Sequence, residues 1–248
     1  MIMKDLFSKQ TDFYARFRPQ YPETLYRFVF EFVRNFNCAW DCATGNGQVA
    51  LRLAQDFQKV LATDISEAQL GNATTHETVE YTLCPAEKTP FQTDQFDLIC
   101  VGQALHWFNF MEFFSEAKRT GKQGCPLACW GYELVEISPE IDTLFFDFYE
   151  NTLQGCWNPE RKFLENKYRE IAFPFEKIIE KDFSHPLDWS RQQFEGYLNS
   201  WSAVQKFKTK NGQNPVPDFM QKISAFWGEE EIKTINFPIF LKMGIIEK

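Results

Sequence analysis

A glycine loop at residues 40–50, WDCATGNGQVA, limits the folds that this 248-residue chain can adopt. The loop follows an apolar run, CAWDCA, and opens a helical pattern, QVALRLAQDF. Gly45 and Gly47 allow a tight turn in which the backbone approaches a ligand with no Cβ in the way. A strand, a glycine turn and a helix in this order predict an α/β fold with a ligand at the carboxyl end of the first strand.

Downstream of the loop, short apolar runs alternate with helical patterns. The runs KVLATD, VEYTLC, FDLICVG and CPLACWGY are typical of buried parallel strands. An amphipathic helix is predicted at Pro22–Arg34, and an interrupted helical stretch at Trp189–Trp227. PFEKIIEKDF predicts another strand, and INFPIFLKMGIIEK predicts a single final one. The chain should therefore form an α/β sheet of about seven strands, covered by helices on both faces, with two extra helical blocks.

Two ligands fit the loop. The run from Gly45 to Ala50 matches the G-x-G-x-x-G/A fingerprint of dinucleotide sites, and Asp64 ends the next strand, where it can bind a ribose diol. S-adenosylmethionine shares the adenosine but carries an ammonium group, for which Asp41 offers a carboxylate. The same carboxylate would repel a pyrophosphate. A third interpretation is that Asp41 only braces the loop.

Charge and composition exclude some partners. The chain has 26 Lys and Arg against 34 Asp and Glu, a net charge of −8, which argues against binding to nucleic acid or to an anionic membrane surface. No apolar run reaches the ~18 residues of a membrane span. The first residues carry charges where a signal peptide is apolar, so we expect a cytoplasmic protein. Aromatic residues, 17% of the chain, exceed ordinary usage, and some could line an apolar ligand pocket.

The seven cysteines predict reduced thiols rather than a metal site. The pairs Cys38/Cys42 and Cys125/Cys129 lack the C-x2-C spacing and the nearby histidine of zinc sites. Most of the seven lie in apolar runs, where a free cysteine behaves as a small hydrophobic residue. No metal ligand is assigned.

Taken together, these blocks resemble the class I S-adenosylmethionine-dependent methyltransferases. The matching blocks, in order over residues 38–133, are WDCATGNGQ, ATDIS, CPAEKTPF, FDLICVGQALHWF and CPLACWGY. The lead-in YARFRPQYP, the later NSWSAV and the tripeptide at 157–159 resemble the trans-aconitate methyltransferase-like subgroup. Ala43 stands where the family has the first glycine of its loop. Because alanine allows φ below zero, we expect cofactor binding to survive this departure.

The resemblance implies a Rossmann-like, seven-stranded sheet with helices on both faces, an antiparallel last strand and helical cap insertions. The implied single domain has an N-terminal lid and helix at 1–37 and a cofactor-binding core at 38–133. Cap segments are expected at 134–170 and 184–230, with the last strands at 171–183 and 235–248.

The resemblance also implies a binding site for S-adenosylmethionine. Asp64 would bind the ribose hydroxyls, Ile65, Ala86 and Glu87 would surround the adenine, and Gln103 would face the sulfonium. Glu87 as a solvated turn charge and Ile65 as core remain open alternatives. The implied cofactor-binding residues are Asp41, Ala43, Thr44, Gly45, Gly47, Gln48, Asp64, Ile65, Ala86, Glu87, Gln103, Tyr14 and Arg18.

His106 is the candidate catalytic residue, because an imidazole with a pKa near 6.5 can act as a general base at neutral pH. A carboxylate acceptor needs no base, since methyl transfer depends mostly on in-line positioning. His106 as a structural hydrogen-bonding residue therefore stays open. A guanidinium fork suits a carboxylate, which makes Arg161 a further, weaker candidate. The candidate substrate-binding residues are Arg16, Trp107, Trp130, Trp157 and Trp201.

The expected activity is S-adenosylmethionine-dependent O-methylation of a carboxylate or hydroxyl on a small molecule. The alternatives are an NAD(P)-dependent oxidoreductase and a non-catalytic cofactor-binding protein of the same fold. The sequence does not decide the oligomeric state.

Overall fold

Nearly continuous apolar runs form the central sheet of the computed structural model, which describes residues 17–248. The strands within these residues are β1 (Cys38–Cys42), β2 (Lys59–Asp64), β3 (Val79–Leu83), β4 (Leu98–Gly102), β5 (Pro126–Tyr132), β6 (Ile178–Phe183), β7 (Pro186–Ser190), β8 (Ile232–Asn236) and β9 (Ile239–Ile245). Seven of them form one sheet in the order β3-β2-β1-β4-β5-β9-β6. Strands β1 to β5 are parallel, and β9 lies antiparallel between β5 and β6. The predicted seven-stranded sheet with an antiparallel last strand is confirmed.

Helices cover both faces of this sheet. The helices of the described residues are α1 (Glu23–Phe30), α2 (Gln48–Leu53), α3 (Glu67–Gly71), α4 (Phe110–Thr120), α5 (Pro139–Asp147), α6 (Arg161–Glu165), α7 (Arg191–Asn199), α8 (Ser202–Asn211) and α9 (Val216–Ile223). Helices α1 and α2 share one core with the sheet, and α4 packs on the opposite core. A residue such as Trp40 faces the α4 side while its neighbour Ala39 faces the α1 side, as strand alternation requires.

The two cap segments have a hydrophobic core of their own. Helices α5, α7 and α9 bury their apolar faces against one another, with Phe145, Phe194 and Phe219 among the side chains at the centre. This cluster is separate from the two clusters on the sheet faces. The cap is therefore one packed unit made from two stretches of chain, with β6 between them in sequence.

A second, two-stranded sheet in the cap differs from the sequence prediction. The cap segment expected to be helical at 184–230 begins with β7, which pairs antiparallel with β8. The expected single last strand is in fact β8 and β9, separated by Phe237 and Pro238. Proline fixes φ and has no N–H for a ladder, so it interrupts the run. Ser190 then starts α7 directly after β7, because its side chain and that of Gln193 form a reciprocal capping box.

Three further features of residues 17–248 bear on the sequence predictions. Between residues 17 and 248 no helix is both long and apolar enough to cross a bilayer. All seven cysteines lie in this part of the chain, and none of them forms a disulfide. Helix α1 ends at Phe30 rather than at Arg34, since the next residues form single turns only.

Candidate functional site

The glycine loop joins β1 to α2 in left-handed backbone conformations. Gly45 has φ +58° and Gly47 φ +88°, a region that glycine enters without steric cost. A Cβ at Gly47 would lie 2.1 Å from the Tyr81 hydroxyl oxygen, so this position needs glycine. Ala43 also lies in this region, with φ +57°. The expectation of a negative φ at Ala43 is wrong, because the loop keeps the backbone shape of a glycine there.

Asp64 fastens the loop to the end of β2. Its carboxylate accepts the backbone N–H of Gly45 at 2.8 Å and that of Ser66 at 2.9 Å. The next residue, Ile65, is 36% exposed, so it is not part of the core. Thr44 also joins the loop to β2, by donating its backbone N–H to the Thr63 carbonyl at 2.8 Å. An apolar side chain and a carboxylate thus stand together at the carboxyl edge of the sheet.

Asp41 lies beneath the loop rather than at its surface. It is 1% exposed and accepts hydrogen bonds from the Thr44 hydroxyl and the Ala50 backbone N–H. Burial raises the pKa of its carboxyl to about 7. This geometry supports the bracing role, and direct contact of Asp41 with a ligand's ammonium group stays a prediction.

Two neighbouring residues fix the loop after β3, one by burial and one by a hydrogen bond. Ala86 is buried in the core beside α4, while Glu87 accepts the backbone N–H of Asn109 at 2.8 Å. Asn109 is the residue before α4, so Glu87 holds the start of that helix and is more than a solvated turn charge. Gln48 fixes another neighbour, donating from Nε2 to the Pro19 carbonyl at 3.4 Å.

A pocket lies between the carboxyl edge of the sheet and the cap. It brings together two predicted cofactor-binding residues, Arg18 and Gln103, and two predicted substrate-binding residues, Trp157 and Trp201. The weaker candidate Arg161 also lines it. The residues around it are Arg18, Gln103, Tyr132, Glu133, Leu134, Trp157, Arg161, Tyr197, Trp201 and Ser202. We call it the acceptor pocket. Tyr197 and Glu133 were missed by the sequence analysis, since a lone tyrosine on a helix and a lone acid after a strand carry no distinguishing pattern.

Two arginines give the acceptor pocket its charge. The Arg161 guanidinium packs over Trp157, 4.2 Å from the ring centroid, its Nε donates to the Tyr149 hydroxyl, and it forms an ion pair with Glu165 at 3.4 Å on the side of Tyr149. Arg18 packs over the Tyr197 ring at 5.6 Å. The carboxylate of Glu133, the one acid at this pocket among the described residues, forms an ion pair with Lys167 at 2.8 Å. The pocket therefore suits an anion.

Trp130 does not line this pocket, contrary to the sequence prediction. It is fully buried and packs edge-on against Tyr21 and Tyr26, with ring centroids 5.5 and 6.1 Å away. Trp130 therefore belongs to the core on the α1 side of the sheet. Trp107 is half-buried beside His106, with ring centroids 4.7 Å apart.

His106 has a buried, aromatic environment. Its Nδ1 lies 3.3 Å from the Tyr168 hydroxyl. Burial, and secondarily the charge of Arg161, lower the pKa of the imidazole to about 3. The premise of a pKa near 6.5 is wrong, because a neutral imidazole at this depth is a weak proton acceptor at pH 7. Contact of His106 with a substrate stays a prediction.

Comparison with known proteins identifies the fold and the family. The family model described as a methyltransferase domain matches residues 40–129. A Dictyostelium discoideum protein named as a methyltransferase is 31% identical over 245 residues, which are 96% of this chain and 93% of that protein. The chain is a class I S-adenosylmethionine-dependent methyltransferase.

Solved structures agree with this assignment of the methyltransferase. A structure described as a type II methyltransferase from Anaeromyxobacter dehalogenans has a TM-score of 0.86 and 34% identity, over 93% of this chain and 99% of that one. The fold also matches phosphoethanolamine N-methyltransferase 2 of Haemonchus contortus, solved with S-adenosylhomocysteine and phosphomonomethylethanolamine. There the TM-score is 0.53 and the identity 15%, over 100% of this chain and 60% of that one. These findings decide against the NAD(P)-dependent oxidoreductase.

The loop of the methyltransferase fits its cofactor. Gln69 is 4% exposed, and its Oε1, 3.9 Å from the position of a Cβ on Gly45, has no hydrogen-bond partner within residues 17–248. A buried oxygen of this kind calls for a donor. The Gln69 oxygen, the glycine turn and the Asp64 carboxylate form the polar side of a cradle, and the exposed Ile65 forms its apolar side. The role of each residue toward the cofactor stays a prediction, and Tyr14 and Arg16 lie outside the described residues.

Proposed function

We propose that this methyltransferase acts on a carboxylate oxygen of a small-molecule acceptor, as the likeness to the trans-aconitate methyltransferase-like subgroup implies. The observation that carries the proposal is the placement of Arg18 and Arg161 at one pocket with Gln103, the first residue after β4. Two guanidinium groups suit a carboxylate because each offers several N–H donors in a planar fork.

The neutral state of His106 favours a carboxylate over a hydroxyl acceptor. A carboxylic acid with a pKa of about 4 is ionised at pH 7 and has a lone pair ready to attack. A hydroxyl acceptor would need a general base to take its proton. Because burial holds the pKa of His106 at about 3, the imidazole is a poor base for that purpose.

The chain's own residues bind, orient and shield the reactants. S-adenosylmethionine supplies the methyl group when it is bound, at the loop carrying Gly45 and Gly47. Trp157 and Trp201 form an aromatic wall of the acceptor pocket, with ring centroids 5.4 Å apart. The wall supports an acceptor with an apolar body attached to its carboxylate.

A small molecule is favoured over a macromolecule by the position of the pocket under the cap. Residues of α6 and of the α7–α8 junction close over it, and Trp201 is 4% exposed. The net charge of −8 also disfavours a nucleic-acid substrate.

The test is transfer of labelled methyl groups from S-adenosylmethionine to a panel of small carboxylic acids and to the matched alcohols. Methyl esters are hydrolysed by base, so transferred label should be released as methanol at high pH. Label that enters only alcohols, amines or protein would overturn the proposal, as would no transfer by a protein that binds S-adenosylhomocysteine.

A further inference from the structure

Gln103 leaves the sheet in a strained backbone conformation. Its φ is +56°, in the left-handed region that side chains other than glycine rarely adopt. Such strain persists only where the surroundings hold it, and it clusters at functional sites. Here the N–H of Gln103 donates to the Trp130 carbonyl at 2.8 Å, so the turn begins while the β4–β5 ladder is still paired.

Beyond the end of β4, the side chain of Gln103 supplies the hydrogen-bond acceptor that the next residue of β5 would otherwise find in β4. The backbone N–H of Tyr132 donates to Gln103 Oε1 at 2.7 Å. An N–H group requires an acceptor, so the orientation of the amide is fixed: Oε1 faces β5 and Nε2 is the remaining arm. Gly131 makes room for this contact, because a Cβ there would lie 2.8 Å from Oε1.

We propose that Gln103 Nε2 donates a hydrogen bond to the acceptor carboxylate and orients it between Arg18 and Arg161. This inference rests on the proposed function. All three side chains line the acceptor pocket, and each carries N–H groups that can donate to a carboxylate. A carboxylate accepts at every lone pair, so it matches a set of donors. The carboxylate of Glu133, which also lines the pocket, is already ion-paired with Lys167 at 2.8 Å. Gln103 therefore selects the acceptor, in place of the sulfonium contact that the family resemblance implies.

Gln103→Glu tests the assignment, because it keeps Oε1 for Tyr132 and replaces only the NH2 group by an oxygen. At pH 7.5 we expect the KM for the best carboxylic acid to rise roughly 100-fold. The dissociation constant of S-adenosylhomocysteine should stay within about twofold. Gln58→Glu, the same change at an exposed position, is the matched control. Gln103→Met, which adds no charge, should also raise the KM for the acid.

The possible outcomes distinguish a failure of the Gln103 assignment from a failure of the proposed carboxylate methyltransferase activity. A wild-type enzyme that methylates no carboxylic acid overturns both. If the wild type methylates acids and Gln103→Glu leaves their KM unchanged, only the role of Gln103 is wrong. Loss of S-adenosylhomocysteine binding in a variant with unchanged thermal stability would place Gln103 at the cofactor and overturn the inference as well.

Discussion

The carboxylate of Asp64 accepts the backbone N–H of Gly45 at 2.8 Å and thereby ties the glycine loop to the neighbouring strand. Because its other oxygen accepts the N–H of Ser66, one side chain sets the shape of two loops at the cofactor site. Both bonds are to a charged acceptor, which makes them stronger than neutral ones.

Asp64→Asn should weaken S-adenosylhomocysteine binding by roughly 10–100-fold, since the amide keeps the shape but loses the charge and one acceptor. Isothermal titration calorimetry measures this directly. Asp56→Asn, at an exposed ion pair with Arg52, controls for the loss of one negative charge. Equal affinities for the wild type and Asp64→Asn would contradict a role of Asp64 in the cofactor site.

Ala43→Gly should raise the free energy of unfolding by roughly 0.5–1 kcal/mol, because glycine adopts φ +57° without the clash that alanine makes. Urea unfolding is the measurement. The control is Ala54→Gly, where φ is −61° and glycine should be destabilising. A loss of stability in both variants would show that the backbone at Ala43 is not left-handed.

Arg161→Met should raise the KM for an acidic acceptor by roughly 10–100-fold, with cofactor affinity unchanged. Methionine retains packing against Trp157 but supplies no N–H donor. Arg161→Lys should recover only part of the loss, because an ammonium group lacks the planar fork. Steady-state kinetics give both values, and Lys162→Met, an exposed cation on the same helix, is the control. An unchanged KM in Arg161→Met would remove this residue from the acceptor pocket.

Stability should depend on pH through His106. The unfolded imidazole takes up a proton near pH 6.5, whereas the folded one stays neutral down to about pH 3. The unfolded state therefore binds more protons between these values, and the His106 contribution to stability is lost as the pH falls through this window. From pH 7 to pH 5 this loss is about 2 kcal/mol.

Asp41 has the opposite sign, because its raised pKa of about 7 lets the folded state bind the extra proton below that pH. The effect of His106 is therefore measured as a difference between variants. The unfolding free energy of wild type relative to His106→Gln should fall by about 2 kcal/mol between pH 7 and pH 5. His76→Gln, the same substitution at an exposed site, is the matched control. A constant difference for His106→Gln would mean that the folded and unfolded imidazoles have the same pKa, and it would contradict the lowered pKa of His106.

Lys242→Met should destabilise the fold by roughly 2–3 kcal/mol, because it leaves two carbonyl groups without their donor. Lys242 is 6% exposed, and its Nζ donates to the carbonyls of Tyr168 at 2.9 Å and Ile171 at 3.2 Å. Chemical denaturation measures the change, with Lys210→Met as an exposed control. Equal stability of the two variants would contradict the anchoring role.

The sheet could be predicted from sequence because a parallel strand covered on both faces must be apolar along its length. Strand β5 is buried at every residue, and its sequence CPLACWGY shows this directly. The pairing of β7 with β8 could not be found in this way, since only Ile235 in these two strands is fully buried and the strands carry charged residues such as Asp188 and Lys233. This pairing also joins residues far apart in the chain.

The site was predictable in composition but not in orientation. The sequence placed Trp130 and Trp157 in one class, yet Trp130 faces the α1 side of the sheet and Trp157 the acceptor pocket. Aromatic content does not say which face a ring takes. Likewise, an acid at the end of β1 could bind a ligand or brace a loop, and the sequence does not show that Asp41 is buried beneath the loop.

The separate hydrophobic core of the cap has a consequence for evolution and for engineering. Under the proposed function, substitutions among Trp157, Tyr197 and Trp201 change the walls of the acceptor site, while the glycine loop and Asp64 lie at the main sheet, outside the core of the cap. A mutant library confined to the cap can therefore explore new acceptors without eroding the affinity for the methyl donor. Descendants of one ancestral enzyme could diverge in the same way, each inheriting the donor site intact.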